Sequence, residues 1–321
     1  MSNDYFIIDV SHWDPSIDWK ILKSNNVLSA IVKATDGHAG FNQIFHTHCD
    51  GAKAEGMVLG AYHFFRPWID KASIEKQAQF FLDKIASQPV KFIALDLEEY
   101  TKNPANKVAP SVYSQRAKAA AVYLRSHSDL PLVIYTRKSF LDIYTPQVYD
   151  WLWNFDLWMA HWRYNATDLH SGRQTITWEE LIANHLPPFS GPTVPPSNAK
   201  WTLWQWTGEK YFLPGMITLI DLSFYNGTKE EFFEWADFTA DECTAHSEPG
   251  DPALPHPTKI LALLQIHSSP SKTAPVVGNL DMTATPNVLD VCIKDGDKYA
   301  RIGENQWIAM RIKDVKFADW V

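Results

Sequence analysis

Short apolar runs alternate with amphipathic segments along the first 235 residues of the chain. The segments Ser73–Ile85 and Ser111–Ser126 carry apolar residues at helical spacing. Runs rich in β-branched and aromatic residues predict eight β-strands: Tyr5–Val10, Leu28–Ala34, Leu59–Phe65, Lys91–Leu97, Leu132–Thr136, Leu157–His161, Thr202–Trp206 and Ile217–Leu222. Strands separated by helices are typical of a parallel barrel, so the pattern predicts an α/β fold.

The pattern is less regular towards the end of this region. The later strands leave less room for helices between them, so we expect an irregular barrel. Residues 163–200 form a long insertion, in which a short helix is expected at Thr177–Asn184. Its prolines are Pro187, Pro188, Pro192, Pro195 and Pro196. A loop of this length in a compact domain is usually functional or mobile.

A second domain is predicted beyond the barrel. Lys229–Phe238 has a helical pattern, and residues 239–257 are rich in proline with small and acidic residues, which is typical of a semi-rigid linker. Residues 258–321 contain short strand-like runs broken by turn signals, which predict a small all-β barrel. The predicted domains are therefore 1–238 and 258–321, with the linker between them.

Composition narrows the possible functions. The net charge of -8 argues against a nucleic-acid-binding protein, which would normally carry a basic stripe. No run approaches the roughly 20 apolar residues that cross a bilayer, and the N-terminus lacks the features of a signal peptide, so we expect no membrane association and no conventional leader. The three cysteines are scattered, and we expect free thiols. The 14 tryptophans include rings that could stack on sugars, although most should be core.

Two carboxylates mark the end of the fourth predicted strand. Asp96 and Glu98 are separated by one residue, so in a strand they face the same side. Barrel enzymes build their active sites at the C-terminal ends of strands, and neighbouring carboxylates push their pKa values apart, so that one can remain protonated as an acid. The structural alternative is a pair of acids that cap a neighbouring helix or pair with lysine.

Two further acids strengthen the catalytic interpretation. Asp9 and Asp221 each close an apolar run, on the first and the last predicted strand. These strands are neighbours in a closed barrel, so four carboxylates should converge on one face, which is easier to explain as a functional site than as a structural feature. The rival interpretation is a site for a divalent cation, since oxygen ligands suit such ions.

Short motifs throughout this region resemble one known family. They occur in the order and near the spacing of glycoside hydrolase family 25, the Chalaropsis-type lysozymes, and cover roughly residues 5–235. The motifs are Asp9–Trp13, Lys33–Gly37, Gly60–Pro67, Leu95–Glu98, Val133–Thr136, Leu157–Trp162, Trp204–Trp206 and Ile220–Leu222. The sequence departs from the family at Asp14, where glutamine is frequent, and at Asp36, where glutamate is common, which leaves the sugar contacts near these positions open.

The resemblance implies a fold and a reaction. Family members cut the β-1,4 bond from N-acetylmuramic acid to N-acetylglucosamine, on a flattened (β/α) barrel that lacks some outer helices. It implies Glu98 as general acid, Asp96 as its partner, and Asp9 and Asp221 as supporting acids. It also favours assistance by the acetamido group of the substrate, with net retention. We expect no cofactor and no metal, because these carboxylates are assigned to proton transfer and to sugar charge.

Other residues in the motifs are candidates for substrate binding. These are Lys33, Tyr62, His63, Phe64, Tyr135, Trp162, Trp204 and Gln205. Side chains alternate along a strand, so some of the rings must point into the core. His63, like His161, is more often a hydrogen-bonded structural residue in such a position. Lys33 could equally form a structural ion pair.

The C-terminal region resembles the bacterial SH3-like domains that bind cell walls. The resemblance lies in Leu264–Ser271, Pro275–Leu280 and Gly303–Ile308. The alternative is a stabilising or dimerising barrel without a ligand. A wall-lytic barrel with such a tail and no leader resembles a phage or prophage endolysin, made in the cytoplasm and acting at the wall after release.

The sequence therefore predicts a peptidoglycan hydrolase whose partner is bacterial peptidoglycan. A non-catalytic wall-binding protein is the alternative from another class, and release of reducing ends from cell walls distinguishes the two. A chitinase-type β-glycosidase with the same acids is the third hypothesis, which a panel of substrates would test.

Overall fold

The computed structural model describes two compact units. The described residues are 5–68, 71–98, 108–162, 177–186, 191–194, 200–238, 252, 255–262, 264–267, 276–294, 297–303, 306–312 and 315–320. Apart from Ala54–Gly56, the first unit ends at Asp237 and the second begins at Phe238. The predicted linker, residues 239–257, lies largely outside the described residues.

The first unit is built on a closed sheet. Its strands are β1 (Phe6–Val10), β2 (Val27–Asp36), β3 (Gly40–Phe41), β4 (Val58–Phe64), β5 (Phe92–Asp96), β6 (Leu132–Arg137), β7 (Asp156–Ala160), β8 (Leu203–Tyr211) and β9 (Ile220–Tyr225). The order is β1-β9-β8-β7-β6-β5-β4-β2-β3, and β1 also pairs with β2. The short β3 is an addition to β2, so eight strands close the barrel, as predicted.

One strand runs against the others. Strands β1, β2 and β4–β8 are parallel to their neighbours among themselves, whereas β9 is antiparallel to both β8 and β1. A parallel crossover needs a dozen or more residues, and residues 212–219, which join β8 to β9, contain no helix. The prediction of an irregular (β/α) barrel is confirmed, but the expectation of parallel strands throughout is wrong for β9.

Helices cover part of the outside of the barrel. They are α1 (Trp19–Ser24), α2 (Phe45–Ala54), α3 (Lys71–Ile85), α4 (Pro110–His127), α5 (Lys138–Tyr144), α6 (Trp178–Glu180) and α7 (Lys229–Trp235). A π-helical turn, Leu181–His185, continues α6, and 3-10 turns lie at Pro146–Asp150 and Leu152–Asn154. The helices predicted at Ser73–Ile85 and Ser111–Ser126 are confirmed: α3 begins two residues earlier, and α4 is one residue longer at each end.

The core lies between these helices and the strands. Every residue of β5 is buried, as expected for a strand covered on both faces. Gly60 on β4 lets the ring of Phe92 on β5 approach closely, since a Cβ there would lie 2.5 Å from the ring. No helix among the described residues is long and apolar enough to span a membrane.

The second unit is all-β. Its strands are β10 (His256–Ile260), β11 (Leu264–His267), β12 (Val276–Leu280), β13 (Asn287–Val288), β14 (Asp290–Lys294), β15 (Asp297–Gly303), β16 (Gln306–Ile312), β17 (Val315–Lys316) and β18 (Ala318–Trp320). They form one sheet of order β13-β10-β18 and another of order β12-β11-β16-β15-β14. Small and aliphatic residues, including Ile260, Val291 and Ile308, form its core. This agrees with the predicted all-β class.

The state of one cysteine differs from the expectation of free thiols. Cys49 is a buried free cysteine, but Cys292 is disulfide-bonded, so the expectation of free thiols is wrong for Cys292. Cys243 lies outside the described residues. Scattered spacing argues against a disulfide framework, but a single bond only requires two Cβ atoms to meet in the fold, which spacing does not reveal.

Candidate active site

The carboxylates meet in a pocket of about 770 Å³ at one rim of the barrel. Nine of the twelve residues proposed from the sequence line it: Asp9, Lys33, Tyr62, Phe64, Asp96, Glu98, Tyr135, Trp162 and Asp221. The C-terminal ends of β1, β4 and β5 bring Asp9, Phe64 and Asp96 to this rim. The convergence of four acids expected from the sequence is therefore present in the structure.

Asp221 reaches the rim by a different route from the one expected. It is the second residue of β9 and not the end of a strand. Because β9 runs antiparallel, its beginning lies beside the end of β1, where Asp9 and Asp221 are paired across the two strands. The predicted position of Asp221 at a C-terminal strand end is wrong, but its predicted proximity to Asp9 is correct.

Asp96 is the most enclosed acid of the central pair. Its side chain ends β5 and only 5% of the residue is exposed, whereas Glu98 is half-buried. Of the residues that the structure describes, none is a hydrogen-bond partner of the buried Asp96 Oδ1 atom. Burial and then the charge of Glu98 raise the pKa of Asp96 well above its ordinary value, while Lys33 opposes this shift. The pair therefore resists losing both protons.

The supporting acids form a second pair. Gln205 Nε2 donates to Asp9 Oδ2 at 3.0 Å and to Asp221 Oδ2 at 3.2 Å. A side-chain hydrogen bond also joins Asp9 to Asp221. Burial raises the pKa of Asp9 from 3.8 to about 7, although the hydrogen bonds from Gln205 and Asp221 oppose the shift. Near neutral pH these two carboxyl groups consequently share a proton.

Gln205 supports the site from behind. Its Oε1 atom accepts hydrogen bonds from Tyr135 OH and Trp162 Nε1, both at 2.9 Å, so the orientation of the amide is fixed by four partners. Only 1% of Gln205 is exposed, and it does not line the pocket. This burial argues against the expected contact with substrate. Instead, Gln205 links the Asp9–Asp221 pair to two aromatic residues of the pocket wall.

His63 and Trp204 also lie away from the pocket. His63 is fully buried, with Nδ1 2.7 Å from Thr35 Oγ1 and Nε2 2.8 Å from Gln77 Oε1. Burial lowers its pKa to about 4, so it stays neutral. Trp204 is 1% exposed and donates to the carbonyl of His161. The burial of both side chains argues against the expected contact with substrate. His63 points to the opposite face of β4 from Tyr62 and Phe64, which line the pocket.

Lys33 serves two groups of acids. Its Nζ lies 3.4 Å from Asp36 Oδ2 and 4.3 Å from the centroid of the Phe64 ring. Asp36 also pairs with Arg66. Burial alone would raise the pKa of Asp36, but the hydrogen bond from Arg66 and the charge of Lys33 hold this pKa below its ordinary value. Since the charge of Lys33 also lowers the pKa of Asp96, Lys33 takes part in a structural ion pair and also acts on the central pair of acids.

Several pocket residues were not singled out from the sequence as substrate contacts. Trp13 is 73% exposed at the pocket and lies within the first motif, so its position was a usable signal. Phe212 and Ile217, on the connection between β8 and β9, have no comparable sequence signal. Asp14 accepts hydrogen bonds from Ser11 N and Thr218 Oγ1, and so ties the loop after β1 to that connection.

Trp162 forms one wall of the pocket and remains 44% exposed. Gly208 on β8 permits this placement, because a Cβ at that position would lie 2.4 Å from the Trp162 ring. Among the residues that the structure describes, no three His, Cys, Asp or Glu side chains are grouped to hold a metal ion. The arrangement offers protons, hydrogen-bond acceptors and aromatic faces.

Comparison with known proteins identifies the family to which this chain belongs. The sequence model of glycosyl hydrolases family 25 matches residues 8–215, about two thirds of the chain. The chain belongs to glycosyl hydrolases family 25. The resemblance inferred from the motifs is thereby confirmed, and the protein is a glycoside hydrolase.

Individual lysozymes are also similar to this chain. Lysozyme M1 of Streptomyces globisporus is 27% identical over 243 residues, which cover 73% of this chain and 71% of that protein. A lysozyme of Streptococcus phage Cp-9 is 37% identical over 98 residues, or 30% of this chain and 27% of that protein. The crystal structure of the bacterial lysozyme from Streptomyces coelicolor shares the fold, with a TM-score of 0.58 at 23% identity, over 74% of this chain and 100% of that chain.

The buried Asp9 carboxyl should reduce stability at high pH. Its pKa rises from 3.8 to about 7 on folding, so its stabilising contribution is complete below about pH 4 and is lost as the pH rises through about 7. We predict that Asp9→Asn raises the free energy of unfolding above pH 7, by up to roughly 4 kcal/mol, and changes it little near pH 4. Denaturant unfolding across this pH range measures the difference.

Asp142→Asn is the matched control for this effect. Asp142 is exposed, and its hydrogen bonds with Lys138 and Tyr149 hold its pKa below the ordinary value, so its replacement should give no gain at high pH. If Asp9→Asn proved no more stable than the native protein at pH 8, the carboxyl would not be strained by burial.

Proposed function

We propose that this chain is a lysozyme that cleaves the β-1,4 bond between N-acetylmuramic acid and N-acetylglucosamine in peptidoglycan. The observation that carries the proposal is the Asp96 and Glu98 pair at the end of β5, inside a pocket walled by aromatic side chains. The relatives named as lysozymes support the choice of substrate.

The pocket suits a glycan chain. Its volume of about 770 Å³ is ample for sugar rings. Trp13 and Trp162 expose 73% and 44% of their surface beside it, and rings of this kind stack on the apolar faces of sugars. Carboxylate oxygens nearby can accept hydrogen bonds from sugar hydroxyls. The same pocket therefore offers both apolar platforms and polar acceptors.

The central pair supplies one proton at the right place. Burial and mutual repulsion favour a state in which Asp96 and Glu98 together hold a single proton. In the free protein the deeply buried Asp96 favours the neutral form. A sugar whose positive charge develops beside Asp96 stabilises the Asp96 carboxylate, so the proton is then held by Glu98, the half-exposed member of the pair.

The reaction then follows from these positions. Glu98 transfers its proton to the glycosidic oxygen as the bond from C1 to that oxygen breaks. The acetamido carbonyl oxygen of the substrate bonds to C1, and Asp96 accepts the acetamido N–H and stabilises the positive charge of the resulting ring. Water then attacks C1 as the bond from C1 to the acetamido oxygen breaks, and it gives a proton to the Glu98 carboxylate, which restores the acid and the acetamido group with net retention.

Asp9 and Asp221 act as supporting acids in this proposal. They share a proton under the control of Gln205, so they add less negative charge than two free carboxylates would. Their remaining negative charge favours positive charge on the sugar, and the charge of Asp9 raises the pKa of Asp96. Their loss should therefore weaken catalysis less than loss of Glu98.

The alternatives fit the pocket less well. A lectin-like wall-binding protein has no need to bury Asp96 with an unpartnered oxygen beside a second acid, because this placement lowers stability. A lectin-like protein would bind to walls without releasing reducing ends. A chitinase-type enzyme would degrade chitin oligosaccharides faster than muramyl oligosaccharides, whereas we expect the reverse.

The second unit and the site of action complete the proposal. We infer that residues 258–321 form an SH3-like domain that binds the cell wall, and that the protein acts as an endolysin of phage or prophage origin, reaching the wall after release. The all-β sheets and their small core are compatible with this role. The similarity to a phage lysozyme supports the origin.

Replacing the acid should abolish wall lysis without unfolding the protein. Glu98→Gln keeps the shape of the side chain but removes the proton donor, and the general-acid contribution is typically about 10²–10⁴-fold. Asp96→Asn should cause a similar loss while substrate binding is largely retained. Release of reducing ends from purified walls gives the rates, and Glu75→Gln, an exposed acid on α3, is the control. Native-like activity of Glu98→Gln would remove Glu98 from the mechanism.

Removing the second unit should affect insoluble substrate alone. A wall anchor raises the local concentration of the enzyme at its substrate without changing the chemistry. A protein that ends at Asp237, the boundary of the first unit, should cleave soluble muramyl oligosaccharides normally and lyse intact walls at least several-fold more slowly. Strand β10 begins at His256, so truncation at residue 258 would cut through it.

A binding assay separates anchoring from stabilisation. The native protein and the truncated protein are mixed with walls at low and high salt and pelleted, and their melting temperatures are compared. Loss of pelleting on truncation supports an anchor. Equal pelleting, together with a lower melting temperature of the truncated protein, would show that the tail is structural.

A further inference from the structure

Arg137 has no counter-charge among the described residues. In the described part of the first unit, the other arginines are satisfied: Arg66 pairs with Asp36, Arg116 donates to Pro67 O at 2.6 Å, and Arg125 donates to Asn154 O at 3.1 Å. Arg137 ends β6 and is half-buried, and its Nε is buried with no hydrogen-bond partner in the part of the chain that the structure describes. Within the described residues its guanidinium forms no ion pair.

This guanidinium lies beside the proposed glycan pocket. It sits 5.9 Å from the centroid of the Trp162 ring, and it lines a second cavity of about 470 Å³. Trp162 lines both cavities, so this ring is a shared wall between them. A polymer bound in the first cavity therefore lies directly beside the second cavity.

The two cavities differ in charge. The first is lined by Asp9, Asp14, Asp96, Glu98 and Asp221, with Lys33 as its cation. In the second, Lys138 pairs with Asp142, so these charges cancel and the positive charge of Arg137 remains. An anionic group of the substrate would be repelled by the first cavity and attracted by the second.

The chemistry of the guanidinium narrows the choice of ligand. A buried N–H without an acceptor is unfavourable, and a ligand oxygen that accepts from it removes this penalty. Arginine binds carboxylates in a planar, two-pronged geometry that neutral sugar hydroxyls cannot match. Peptidoglycan strands carry short peptides with free carboxylates alongside the sugars.

We propose that Arg137 binds a peptide-stem carboxylate of the substrate in this second cavity, so that the enzyme recognises the peptide-bearing polymer as well as the sugar backbone. The inference rests on the proposed lysozyme function and adds a specificity determinant to it. Arg137 contacts substrate in this arrangement but takes no part in bond cleavage. Its loss should therefore raise KM more than it lowers kcat.

The test combines one substitution with one chemical change in the substrate. Peptidoglycan is stripped of teichoic acids, which removes phosphate as a ligand. The sample is then divided, and one portion is amidated to neutralise its carboxylates. The native enzyme should lose about tenfold or more in kcat/KM on the amidated material. Arg137→Gln should show a similar loss on the unmodified material, mainly in KM, and no further loss on the amidated material.

Arg125→Gln is the matched control. Arg125 is an exposed arginine on α4 that packs 4.4 Å from the Phe155 ring centroid and does not line either cavity. It should behave like the native enzyme on both substrates. Equal losses for Arg137→Gln on unmodified and amidated peptidoglycan would show a structural role, and an unchanged KM on the unmodified material would also overturn the proposal.

A binding readout separates this inference from the proposed function. Calorimetric binding of soluble, peptide-bearing glycan fragments, unmodified and amidated, to Glu98→Gln with and without Arg137→Gln measures the carboxylate contact without turnover and without an insoluble wall. If the native enzyme released no reducing ends, the lysozyme proposal would fail, yet charge-dependent binding that requires Arg137 would still support the carboxylate site. Fragment affinity that is unchanged by both amidation and Arg137→Gln would overturn the site alone.

Discussion

The whole site depends on burying several carboxyl groups at one barrel rim and preventing their full ionisation. Asp96 is almost fully enclosed and has an oxygen without a partner, and Asp9 has a pKa of about 7 because of burial. The amide of Gln205 donates hydrogen bonds to both Asp9 and Asp221, and the charge of Lys33 lowers the pKa of Asp96. In the proposed mechanism, these contacts keep protons in the pocket where the glycosidic oxygen needs one.

The barrel geometry makes this concentration of acids possible. Ends of parallel strands bring Asp9 and Asp96 together, and the antiparallel β9 adds Asp221 from its beginning. The sequence predicted the strands and the convergence, because apolar runs and the acids that follow them are local features. The direction of β9 was missed, since it depends on the short 212–219 connection and on which face of the sheet that connection can reach.

The alternation of side chains along strands explains why some candidate residues do not line the pocket. On β4, Tyr62 and Phe64 line the pocket while His63 between them points to Gln77 on α3. On β8, Gln205 points to the carboxylates while the adjacent Trp204 packs in the core. The sequence shows that such residues alternate, but which set faces the pocket is decided by packing against helices. The supporting role of Gln205 requires four partners on four other strands or loops, a constraint that only the fold reveals.

The central claim is that Glu98 protonates the departing oxygen, and a change of leaving group tests it most directly. The rates of native enzyme and Glu98→Gln are compared on muramyl oligosaccharides and on a muramyl glycoside of dinitrophenol, whose leaving group needs no proton. The account predicts a loss of about 10²-fold or more on the oligosaccharide and less than about tenfold on the activated glycoside. An equally large loss on both substrates would contradict the assignment of Glu98 as the general acid.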